Sequence, residues 1–87
     1  QRKGAVMTAR TEGEKDDLQM INGIGPGLEG KLNAAGFCAY RQIANLTDAD
    51  VNRLEAEVIH LRGRIHRDDW IGQAKALHVR KYGDEAL

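Results

Sequence analysis

Cysteine is nearly absent from this 87-residue chain. Cys38 alone cannot make an internal disulfide, and no Cys/His cluster offers the four ligands of a structural zinc, so packing must hold the fold. No apolar run approaches the ~20 residues of a membrane span, and the first residues lack the long apolar centre of a signal peptide. A soluble, cytoplasmic protein in a reducing compartment is the expectation. The chain does not begin with Met, as expected of a fragment or a processed product. Net charge is also absent: 13 basic residues balance 13 acidic ones, which removes long-range attraction to nucleic acid or to an anionic membrane. A chain this short holds one small domain and excludes a multidomain enzyme. With roughly 60% of its unfolded surface buried it has little interior for an enclosed cofactor, which favours a surface or loop site.

The charge that is present is unevenly spread. Residues 1–15 and 59–87 each carry a net +2, while 16–36 and 37–58 each carry −2, so basic ends flank an acidic middle. Residues 1–14 show no apolar period and read as a flexible tail or linker; a domain over 15–83 follows, with a short tail at 84–87. Asp16 or Asp17 can cap a short helix through Met20. Pro26, the single proline, suits the first position of a second helix carrying Leu28, Leu32 and Ala35, and Gly36 suits its left-handed exit. A third helix is expected over Phe37 to Leu46. Thr47-x-x-Asp50 resembles a capping box ahead of the Val51, Leu54, Val58 stripe of a fourth. His60 to Arg67 loses the period and reads as a loop. Asp68 and Asp69 then open a last helix, with Trp70, Ile71, Ala74 and Leu77 on one face and Trp70 in the core. Nothing alternates like a strand. The fold class expected is all-α, five short helices.

The informative stretch is Leu18-Gln19-Met20-Ile21-Asn22-Gly23-Ile24-Gly25-Pro26-Gly27-Leu28. Glycines between two short helices let the backbone turn sharply and leave N–H groups at the start of the second helix unobstructed, an arrangement suited to an anion. With its hydrophobic-x-Gly-hydrophobic-Gly turn and its Leu32…Gly36-Phe37 exit, the segment resembles the helix-hairpin-helix family. Ala39–Thr47 and Arg62–Leu77 extend the likeness over roughly residues 16–78. The whole resembles bacterial predicted flap-endonuclease-like helix-three-turn-helix domains, found alone or appended to proteins such as the 24 kDa-type subunit of respiratory complex I and ribosomal protein L21. The resemblance implies that Gly23, Ile24, Gly25 and Gly27 contact backbone phosphate of DNA, or less readily RNA, without reading sequence. Lys31 is then the nearest base, and a monovalent cation on the hairpin carbonyls is allowed. Arg62, Arg64 and Arg67 would have to assist from the later loop.

Two functional classes stay open. One is a non-catalytic nucleic-acid-binding module. The other is a protein–protein assembly domain, appended to or docking on a larger complex such as respiratory complex I or the ribosome, with the hairpin kept as scaffold. The turn glycines favour the first and the balanced charge favours the second. A nuclease would need carboxylates clustered around divalent metals. Asp16-Asp17 and Asp68-Asp69 stand where helix capping accounts for them, so no catalytic residue, metal ligand or further cofactor is assigned. Cys38 reads as a small buried hydrophobe, and the isolated domain as a monomer.

Overall fold

The computed structural model describes residues 15–83, so the two tails read from the sequence lie outside the described residues. A single 3-10 turn, Leu18–Met20, is followed by five helices: α1 (Pro26–Ala34), α2 (Tyr40–Ala44), α3 (Asp48–Arg53), α4 (Arg64–Arg67) and α5 (Trp70–Tyr82). There is no strand among the described residues, and the all-α, five-helix class expected from the sequence is what forms. The count is reached differently. The first expected helix is only the 3-10 turn, while the segment expected as a loop contains α4.

Local chemistry sets the ends. Pro26 occupies the first turn of α1, where a missing N–H costs nothing. At its exit the Gly36 N–H donates to the Asn33 carbonyl and the Phe37 N–H to the Leu32 carbonyl, with Gly36 at φ +98°. That reciprocal pair satisfies two end carbonyls and requires a residue at ease in left-handed space. Thr47 caps α3 through the Asp50 N–H, and the Asp50 side chain accepts from the Thr47 N–H, so the aspartate does serve as a capping-box partner. Behind α3 the chain widens into a π turn, Leu54–Val58, closed by the Ile59 N–H on the Leu54 carbonyl, which brings Ile59 into the core.

The core joins Leu18, Ile21 and Ile24 of the hairpin to Leu32, Tyr40, Ile43, Val51, Leu54, Ile59, Ile65, Trp70 and Ala74. Its backbone is α2 lying along α5. Trp70 is fully buried, as its place on the apolar stripe predicts. Cys38, expected to be buried, is only half-buried.

Three polar residues are buried too: Asp16, Glu55 and His78. Burial drives the carboxyl pKa of Asp16 up, but hydrogen bonds from Lys81 Nζ (2.7 Å), the Tyr82 hydroxyl and the Tyr40 N–H (2.8 Å) more than reverse this and hold it below the usual 3.8. This clasp ties the first described residues to the last turn of α5. Glu55 accepts from the N–H groups of Gly63 (2.9 Å) and Ile65 (3.1 Å), supplying α4 with the cap that its own N-cap glycine lacks. His78 packs its ring on Tyr82 with centroids 4.8 Å apart.

Candidate functional site

The hairpin turn is fixed from two sides. On one, Glu29 reaches back from α1 to accept from the Leu18 N–H (3.1 Å) and the Gln19 side chain (2.8 Å). On the other, Gln73 of α5 reads the turn: its Oε1 accepts from the Asn22 N–H (2.8 Å), and its Nε2 donates to the carbonyls of Asn22 (3.2 Å) and Asp68 (2.6 Å). Ile24 is buried, and its N–H donates to the Ile21 carbonyl. The amide of Ile24, one of the expected phosphate contacts, is already used inside the turn.

The glycines of the hairpin fall into two kinds. Gly23 has φ +106°, and a Cβ there would stand 2.4 Å from Asp68 Oδ2 and 3.0 Å from Trp70 Nε1. Both its conformation and its neighbours demand glycine. Gly25 and Gly27 differ: a Cβ on either meets nothing within 4 Å, and Gly25 at φ −99° is extended backbone open to any residue. Gly25 is the N-cap of α1 and provides no side-chain acceptor, so the first-turn N–H groups of α1 have no side-chain cap. Pro26 contributes no donor among them. Helix N-termini of this kind carry partial positive charge and oriented donors.

Of the basic residues singled out from the sequence, Lys31 is exposed on α1. Arg64 and Arg67 are brought to the hairpin through Asp68, whose carboxylate lies against Gly23 and pairs with Arg67 Nε at 3.1 Å and Arg64 Nε at 3.7 Å. Arg62 is not with them; it borders a shallow depression with Asn52, Glu55 and Ala56 beside the π turn. The aspartate pairs also divide their work. Asp17 caps the 3-10 turn through the Gln19 N–H and Asp69 caps α5 through the Gly72 N–H, while Asp16 and Asp68, expected as alternative caps, bind other elements. Among the described residues no group of three or more His, Cys, Asp or Glu is placed to hold a metal. Nor is any helix long and apolar enough to cross a membrane. The turn carbonyls of Ile21 and Asn22 already accept hydrogen bonds, so they are only partly available to the monovalent cation that the resemblance allows.

Sequence reasoning missed Glu55, Gln73 and His78. Glu55 and His78 each lie four residues beyond a buried apolar residue, Val51 and Ala74, so the signal was a polar residue on an apolar stripe. Gln73 had no such mark.

Comparison with known proteins agrees with this architecture. Residues 18–78 match the family described as the RS2/RL21/YNQ2 HHH domain. Small ribosomal subunit protein uS2 of Methylobacterium sp. (strain 4-46) is 47% identical over 70 residues, covering 80% of this chain and 20% of the relative. Large ribosomal subunit protein bL21 of Hyphomonas neptunium is 50% identical over 62 residues, covering 71% of this chain and 30% of the relative. The bL21 protein of Roseobacter denitrificans is 47% identical over 62 residues, with 71% and 28% covered. The chain therefore spans between a fifth and a third of the length of these relatives. No solved structure matches it. From the hairpin through most of α5, the chain belongs to the RS2/RL21/YNQ2 HHH domain family.

Proposed function

We propose that the domain is a non-catalytic docking module that attaches its carrier to a nucleic-acid-rich assembly, the ribosome foremost, by gripping backbone phosphate at the N-terminus of α1. The observation that carries this reading is that Gly25 and Gly27 are glycines the fold does not need. A cap residue at 25 would stabilise α1. Its absence keeps the Gly27 and Leu28 N–H groups open to an outside acceptor. Phosphate contacts of this type position a protein without reading sequence. Lys31, Arg64 and Arg67 supply positive charge nearby. The ribosomal names of the relatives favour RNA over the DNA put first from the sequence, and a cytoplasmic location accompanies that reading.

An NMR titration of the labelled chain with a short RNA duplex and a short single strand, at low and at physiological salt, tests the proposal. Shifts at Gly25–Lys31 and Arg64–Arg67 that fade as salt rises are expected. Gly25→Asp caps the helix with a negative charge and should abolish those shifts while leaving the fold intact. A spectrum unchanged at low salt overturns the reading. One observation favours the rival assembly role: the carboxylates of Glu29 and Asp68 both face the hairpin, and the net charge is zero. In that case retention on ribosomal subunits should survive Gly25→Asp.

A further inference from the structure

Asp69 caps α5 alone, which leaves the carboxylate of Asp68 without a capping role. It pairs instead with Arg64 and Arg67, whose side chains are 26% and 67% exposed, and rests against Gly23 at the foot of the hairpin. On its inner side is a second donor. Trp70 Nε1 is buried, has no hydrogen-bond partner among the described residues, and lies 3.0 Å from the same Gly23 Cβ position that Asp68 Oδ2 approaches. The carboxylate and the indole N–H thus both lie beside Gly23, and the carboxylate pairs with the arginines.

Both guanidinium groups keep access to solvent, and partly exposed ion pairs of this sort are weak. A phosphate oxygen carries the same kind of charge and fits the same two groups. We propose that Arg64 and Arg67 form a phosphate site on the flank of the hairpin, that Asp68 occupies it in the unliganded domain, and that an incoming nucleic-acid backbone displaces the carboxylate, which turns inward to Trp70 Nε1. No bond is made or broken. One anion replaces another on the arginines, and the buried indole N–H gains an acceptor. This rests on the phosphate-binding reading above and extends it, since the hairpin then has a second phosphate contact that the domain itself keeps covered.

The chain has a single tryptophan, so the indole N–H gives one NMR signal. Titration of the wild-type chain with a short single-stranded RNA at low salt should move that signal in step with the Arg64 and Arg67 Nε–H signals. Asp68→Asn should bind the RNA about fivefold more tightly, the Coulomb worth of one unit charge at about 4 Å in water. Adding Arg64→Ala and Arg67→Ala to that variant should cancel the gain. Wild-type binding with no gain in Asp68→Asn, or a gain that persists without the arginines, overturns this proposal and leaves the functional reading standing. Binding by Asp68→Asn alone shows that the native carboxylate is not displaced and overturns both readings for the native chain. Failure of both proteins to bind overturns both. The indole signal is independent of any effect of the substitutions on folding: if it stays still while the arginine signals move, the carboxylate exchange is wrong.

Discussion

At the residue scale, the glycines of one short hairpin answer to different masters. Gly23 is fixed by left-handed backbone and by the Asp68 and Trp70 side chains beneath it, so Gly23→Ala should cost about 2–4 kcal/mol in urea denaturation, from backbone strain and overpacking together. Gly36 has a similar conformation but open space, and its alanine variant should lose only about 1–2 kcal/mol. Gly25→Asp should go the other way, gaining about 0.5–1 kcal/mol from capping. A destabilised Gly25→Asp in the same denaturation series would show that the N-terminus of α1 is filled by something within the domain. The sequence shows all three as identical letters with the same turn-forming meaning. What sets Gly23 apart is the position of Asp68 and Trp70, more than forty residues further along the chain, and what parts Gly36 from Gly25 is backbone φ, +98° against −99°.

Among the elements, helix starts and stops were the most legible features, because capping is decided within four or five residues. Pro26, Gly36 and the Thr47–Asp50 pair all act as local chemistry predicts. The doubled aspartates show where that legibility ends. In each pair the second residue caps; of the first residues, Asp16 is spent on contacts across the fold that no local pattern encodes, while Asp68 pairs locally with Arg64 and Arg67. The residues of α4 read as a loop in the sequence for a related reason: the helix has one turn, starts at a left-handed Gly63, and takes its cap from Glu55 on the π turn. That dependence makes a prediction. Glu55→Ala should loosen α4 by roughly 1.5–3 kcal/mol, the range for hydrogen bonds to a charged group, seen as faster hydrogen exchange at the Gly63 and Ile65 amides. Equal exchange in variant and wild type would show that α4 holds itself. Of the candidate site, the hairpin was legible from its glycines, whereas the approach of Arg64 and Arg67, but not Arg62, depends on how α4 and α5 dock.

For the molecule as a whole, the clasp around Asp16 sets the response to pH. The pKa of Asp16 lies below its ordinary 3.8, so its contribution is complete above about pH 4 and is lost as acid protonates the carboxylate in the folded state. Burial raises the pKa of Tyr82, helped by its bond to Asp16, and hydrogen bonds to Asp16 and Tyr82 raise that of Lys81. Their contribution is therefore complete below about pH 10 and falls away as alkali removes those protons. Thermal melts across pH should show both limbs, and Asp16→Asn should flatten the acid limb and cost roughly 1.5–3 kcal/mol near neutrality. An acid limb unchanged by that substitution would assign it to other carboxylates. The clasp also has a mechanical meaning. Because Asp16 grips Lys81 and Tyr82, the two ends of the folded body leave from one point. Tension applied between those ends would fall first on a handful of polar bonds, opening the domain like a zip from its joined ends, and while it stays closed it adds almost no reach to a polypeptide running through it.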